Sequence, residues 1–179
     1  MISLQASDFE LFGLPTAFAL DRSQLDLQWK SLQREAHPDR FASEGAAAQR
    51  IALQWSVRIN EAYNRLKDPL KRAAYLCELN GAAVNAENNT SMPPAFLMQQ
   101  REWREALDDC KELKDAGAKI EALEKLLEEV DASHVQVLSQ AATLMDVDQN
   151  YTAAVGQVRA LMFIEKFAHE VQHGLDATT

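Results

Sequence analysis

Cysteine is scarce in this chain, with Cys77 and Cys110 the two among 179 residues. A structural zinc site takes about four clustered ligands, and two thiols in separate helix interiors do not supply them. Each reads as a small buried hydrophobe in its reduced form, which suits the cytoplasm and predicts no metal and no resident cofactor. Long apolar runs are missing too, since none reaches the ~18 residues of a membrane span. The opening Met1-Ile2-Ser3-Leu4-Gln5 lacks a basic stretch followed by an apolar one, so no export signal is expected. Positive charge is also short, 18 Lys and Arg against 27 Asp and Glu, for a net charge of −9. Nucleic-acid binding needs cations to displace the counterions of phosphates, so that partner is not expected. Strand-like alternation and internal repeats are absent as well.

What is present is helical periodicity, in a chain that is 47% hydrophobic and long enough for one or two small cores. Ser7-Asp8 caps a short helix through Phe9, Leu11 and Phe12, ended by Gly13 and Pro15. Asp21 with Gln24 resembles a capping box, followed by Leu25, Trp29, Leu32 and Ala36 in one stripe. A facing stripe follows, Ala48, Ile51, Ala52, Trp55, Ile59, Ala62, Tyr63 and Leu66, with Ser43 read as its N-cap. Asp68-Pro69 opens a further helix that Asn80-Gly81 closes.

Between the facing stripes lies Glu35-Ala36-His37-Pro38-Asp39-Arg40-Phe41. Pro38 disfavours helix for the residue before it and has no N–H to give, so the first long helix stops near His37. His37, Pro38, Asp39 and Arg40 then occupy the tip of a helical hairpin. Lys30 and Arg34, four apart, extend Arg40 into a basic strip that Glu35 dilutes, suited to steering an acidic partner.

These residues resemble the J domain, the module with which co-chaperones stimulate seventy-kilodalton heat-shock chaperones. His37-Pro38-Asp39 matches its signature, and the run from Ile59 to Leu76 is similar to its third and fourth helices. Phe9-Glu10-Leu11-Phe12-Gly13-Leu14-Pro15 and the tail after residue 90 narrow the resemblance to the HscB family, which serves iron-sulfur cluster assembly. The resemblance implies an all-α protein: a J domain over 1–80, a linker over 81–92 and a three-helix bundle over 93–179. It implies two partners, an HscA-type chaperone held by His37, Pro38, Asp39, Arg40, Lys30 and Arg34, and an IscU-type scaffold protein. A helical adaptor without chaperone stimulation is the alternative.

The second half reads as three helices joined by short loops, with a break at Ala116-Gly117 and a turn around Asp146 to Gln149. Ile120, Leu123, Leu127, Val130, His134, Val137, Ala141 and Leu144 form the middle stripe. Tyr151, Ala154, Val158, Leu161, Ile164, Ala168 and Val171 form the last. On the first of these helices, opened by Ser91, Pro93 and Pro94, residues Phe96, Trp103, Leu107 and Cys110 fall within ~60 degrees and predict the buried face. Leu97 and Met98 point away from it, among Arg101, Glu102, Glu105, Asp109 and Glu112. The same projection sets Phe163 and Phe167 opposite Leu161 and Ala168. Four outward hydrophobes beside carboxylates suggest a binding patch, in a half carrying 8 Lys and Arg against 16 Asp and Glu. The family resemblance assigns scaffold binding to Leu97, Met98, Glu102, Glu105, Asp109 and Phe163. Arg101 stands where an apolar residue is expected, its aliphatic stem compensating in part.

Two enzymatic patterns compete. His169-Glu170-Val171-Gln172-His173 fits the H-E-x-x-H zinc motif, but a third ligand downstream and a substrate-binding strand are both missing. A helix end carrying histidines near its carbonyl terminus is the preferred reading. His37 with Asp39 could form a base and its orienting carboxylate, yet no nucleophile, phosphate loop or oxyanion donor accompanies them. No catalytic residue is expected.

Overall fold

The computed structural model describes residues 3–84 and 91–179. Half of the expected linker, residues 85–90, lies outside the described residues. Among those described there are seven α-helices, one 3-10 helix and no strand. They are α1 (Asp8–Leu11), α2 (Arg22–Glu35), a 3-10 helix (Pro38–Glu44), α3 (Ala46–Lys67), α4 (Pro69–Leu79), α5 (Pro94–Glu112), α6 (Ala116–Asp146) and α7 (Tyr151–Asp176). Contacts divide the chain into Met1–Leu76 and Cys77–Thr179.

In the first unit, Ser7 caps α1 in a full capping box with Glu10, and Gly13 follows at φ 62°, where a Cβ would be strained. Asp21 caps α2 by accepting from the amides of Ser23 and Gln24. Asp68 accepts from Leu70 and Lys71, and Pro69 opens α4, where its missing N–H costs nothing. The expected N-cap at Ser43 is not used. Pro38 starts a 3-10 helix that runs through Ser43, and α3 begins only after Gly45, at φ 97°.

The core of this unit is Phe9, Phe12, Leu25, Ile59, Ala62, Leu66 and Leu76, each at most 2% exposed. Burial of a large apolar side chain stabilises by ~1.5 to 3 kcal/mol, so these positions hold the hairpin closed. Trp29 stacks on Tyr63 at 4.6 Å, and Asn60 Oδ1 accepts from both Trp29 and Gln33. Asp8 is fully buried with its carboxylate 2.8 Å from Arg58 and 3.3 Å from Arg65, an arrangement the sequence did not announce. One expectation fails: Ile51, counted in the inward stripe of α3, is 55% exposed. It borders an open hollow that it shares with Leu32 of α2 and Phe41 of the 3-10 helix, and neither closes over it.

The second unit is a three-helix bundle in which every pair of α5, α6 and α7 is in contact. Asp115 caps α6 through the amide of Ala118 at 2.7 Å. This moves the expected break, because Ala116 and Gly117 are the first residues of α6 and the interruption falls at Leu113–Asp115. A capping carboxylate three residues before a free amide outweighs one glycine in the first turn. The buried face of α6 holds Leu126 and Met145 where Leu127 and Leu144 were expected. Over 31 residues the 3.6-residue period slips against a heptad reading by ~20 degrees per heptad, enough to exchange neighbours.

Helix α7 overturns a larger expectation. Phe167, placed outward with Phe163 by the helical projection, has no exposed surface, whereas Leu161 is also fully buried. Packing against both α5 and α6 gives α7 two buried flanks, so residues far apart around its axis are inside together.

Candidate functional site

The tip of the first unit is built by three caps. His37 leaves the helical region at φ −62°, ψ 126°, as the residue before a proline must. Its Nδ1 accepts the amide hydrogen of Asp39 at 3.3 Å, so in the neutral ring the hydrogen sits on Nε2. Its carbonyl accepts from the amide of Arg40 at 3.0 Å. Arg40 in turn donates from Nη1 to the carbonyl of Arg34 at 3.3 Å, satisfying one of the orphan carbonyls at the end of α2. The backbone of the tip is therefore fixed from within while its side chains stay in solvent. The His37 side chain is 56% exposed and that of Asp39 is 90% exposed, with 3.6 Å between Nδ1 and Oδ2. Pro38 is half-buried; Lys30, Arg34 and Arg40 are exposed. Glu35 lies among them and accepts from the Ser31 hydroxyl.

Farther from the tip, Asp26 holds the two long helices in register. Arg22 beside it, and then the Tyr63 hydroxyl, hold its carboxyl below the usual range. Arg72 is buried and donates to the carbonyls of Phe18 and Leu66 at 2.7 and 2.6 Å, tying the loop after α1 to the end of α3. Neither residue was singled out by the sequence reading. Their partners Tyr63 and Phe18 lie far off in the sequence, so no local spacing signalled them.

On the bundle, Leu97 is 50% exposed and Met98 69%, as the helical projection of α5 required. Arg101, Glu102, Glu105 and Asp109 are exposed along the same helix. The Nε of Arg101 pairs with Glu105 at 3.1 Å. Phe163 departs from expectation, being only half-buried and not outward. Its ring meets Phe96 edge-on at 5.8 Å and stacks on Phe167 at 5.7 Å. The guanidinium of Arg104 covers Phe163 at 5.4 Å and Phe167 at 5.2 Å while pairing with Glu170 at 2.6 Å. That arginine, missed in the sequence, closes one side of the aromatic cluster.

The same ion pair bears on the H-E-x-x-H pattern. Glu170 is engaged by Arg104, so its carboxylate joins α7 to α5. Among the described residues no group of three or more His, Cys, Asp or Glu could hold a metal ion. Cys77 and Cys110 are free and buried, and burial pushes the Cys77 thiol up to about 11. No helix among the described residues is long and apolar enough to cross a membrane.

A helical hairpin with an exposed His-Pro-Asp tip, followed by a three-helix bundle, defines the class: J-domain co-chaperones. The family model described as the HSCB C-terminal oligomerisation domain matches residues 92–172. The co-chaperone protein HscB homologue of Burkholderia multivorans is 50% identical over 171 residues, covering 96% of this chain and 95% of the relative. That of Burkholderia cenocepacia is 51% identical over 172 residues with the same coverage. The solved chaperone HscB of Vibrio cholerae superposes with a TM-score of 0.81 at 37% identity, covering 97% of this chain and all of that one. Human co-chaperone HscB shares the fold at a TM-score of 0.83 and 20% identity, covering 96% of this chain and 83% of its own. The chain belongs to the HscB family of co-chaperones.

Proposed function

We propose that this protein stimulates ATP hydrolysis by a specialised HscA-type heat-shock chaperone and delivers an IscU-type scaffold to it, in the maturation of iron-sulfur proteins. In this reading residues 1–80 are the J domain, 81–92 the linker and 93–179 the scaffold-binding bundle. The observation that carries the reading is the tip: His37 and Asp39 are solvated while their backbone is held by internal hydrogen bonds. A rigid loop with free polar groups is prepared for a partner, because little conformational entropy remains to be lost on binding.

His37, Pro38, Asp39 and Arg40 contact the chaperone, with Lys30 and Arg34 steering its acidic surface. Leu97 and Met98 form the apolar centre of the scaffold contact. Glu102, Glu105 and Asp109 complement basic groups on the scaffold, and Phe163 backs the patch from beneath. The protein performs no chemistry. Binding two proteins through one chain raises the local concentration of scaffold at the chaperone. The two buried free thiols support a reducing compartment, the cytoplasm.

The test is ATP turnover of the purified HscA-type chaperone with wild type and with His37→Gln. Stimulation is expected to vanish in the variant while scaffold binding and thermal stability are retained, since an exposed tip side chain contributes little to folding. Normal stimulation by His37→Gln would leave only the adaptor reading.

A further inference from the structure

The hairpin of α2 and α3 is sealed at its base and open near its tip. At the base Ile59, Ala62 and Leu66 are buried and Trp29 covers Tyr63. Toward the tip α2 stops at Glu35, the chain turns through the 3-10 helix, and α3 begins only at Ala46. A cavity of about 500 Å3 remains there, lined by Leu32, Phe41, Ala48, Ile51, Trp55 and Ile59. Apolar atoms lining it meet water in the isolated protein, and an inserted apolar group would release that water. The two charged residues lining it, Glu35 and Glu44, are both acidic and exposed.

We propose that this hollow is a docking pocket for one apolar, leucine-class side chain of the ATP-hydrolysing chaperone, carried beside a lysine or arginine on the same segment. The inference rests on the co-chaperone reading and adds a second contact to the tip. Continuity selects the chaperone as the source: Ala36 and Phe41 line the hollow and immediately flank the His37-Pro38-Asp39-Arg40 tip, so a partner gripping the tip lies over its mouth. The lining selects an apolar group, and the two carboxylates on it select a basic neighbour. The same logic accounts for Glu35, an acid set within an otherwise basic strip. Lys30 and Arg34 face an acidic area of the partner, whereas Glu35 and Glu44 face the cation flanking the inserted side chain.

The test fills the hollow without touching the tip. Ala48→Phe places a ring in the cavity and is compared with wild type, His37→Gln and Glu35→Gln/Glu44→Gln, reading the concentration that gives half-maximal stimulation of the purified chaperone. Ala48→Phe is expected to raise that concentration about tenfold, the equivalent of losing one buried apolar side chain, with the melting temperature unchanged or higher. The double glutamine variant is expected to raise it about threefold, in line with loss of a partly screened charge contact. In wild type, the Ile51 δ1 methyl resonance should move on adding chaperone by more than the methyls of buried Leu66. If His37→Gln is inactive while Ala48→Phe acts as wild type and Ile51 does not move, the pocket is overturned and the co-chaperone reading stands. If His37→Gln stimulates normally, the co-chaperone reading itself falls. Improved stimulation by the double glutamine variant overturns the basic neighbour. Should Ala48→Phe not fold, the Ile51 methyl decides alone.

Discussion

Truncating Leu97 and Met98 together to alanine separates a binding surface from a core more sharply than any other change in the bundle. Full burial of such a side chain is worth ~1.5 to 3 kcal/mol relative to exposure. Leu97 is already half covered and Met98 about one third, so a partner can bury only the remainder, 50% and 69% of each residue. Scaled by those fractions, and less the part that alanine keeps, the pair contributes about 2 kcal/mol to a complex, or roughly thirty-fold in affinity. Ordering of Met98, which has three rotatable bonds to fix, lowers this further. Folding is expected to change by less than ~0.5 kcal/mol, because alanine is at least as good a helix former and little packing is lost. The assay is isothermal titration of the purified scaffold into wild type and the double variant, beside thermal melts of both. A melting temperature lower by ~10 °C would mean that the two residues are core. Unchanged affinity would move the scaffold contact off α5. Phe163→Ala differs from this pair, since its ring is locked between Phe96, Phe167 and Arg104. It is expected to cost stability as well as affinity, by about 1 to 2 kcal/mol of folding energy.

Charge at the strip is tested by Arg34→Glu, which should slow association with the chaperone several-fold, and by raising ionic strength from low to physiological, which should slow wild type more than the variant. Stopped-flow rates indifferent to both would reduce the strip to a solvated face. Asp8→Asn leaves Arg58 and Arg65 facing a neutral side chain, and is expected to lower stability by about 2 kcal/mol in urea unfolding, moderated because both arginines reach solvent. The Cys77 thiol, raised to about 11 by burial, stays protonated near neutrality, so a thiol reagent at pH 8 should modify it only as fast as the protein opens. Because the folded value lies above the unfolded one of about 8.5, its contribution to stability is complete below that pH and declines as pH rises toward 11.

The parts legible in the sequence were those governed by local rules. The caps at Ser7, Asp21 and Asp68, the stop at Pro38 and the outward turn of Leu97 and Met98 each depend on residues within one or two helical turns. What escaped depended on where a helix sits among others. Phe167 projects outward on a helical wheel, yet α7 has two neighbours, and Ile51 projects inward, yet it borders the open hollow toward the tip. Ser43 was a plausible cap, but the 3-10 helix carried the chain past it to Gly45. Arg104 and Arg72 bring a charge against aromatic faces across large sequence separations, a pairing that no spacing rule announces.

The burial of Asp8 has a consequence for how the chain comes together in time. Helix α1 has four residues, far too few to persist alone in water. The groups that hold it come much later: Arg58 also takes the carbonyls of Leu4 and Ala6, and Tyr75 accepts the Asp8 amide from 67 residues downstream. Loops of 52 to 67 residues must close before these bonds form, whereas α2 and α3 meet through a single short turn. Loop closure therefore predicts that the N-terminal segment is the last piece of its unit to lock, which pulsed hydrogen exchange would show as late protection of the Asp8 amide. On a ribosome it would emerge before these partners and keep its carboxylate in water until residue 75 is free to receive it.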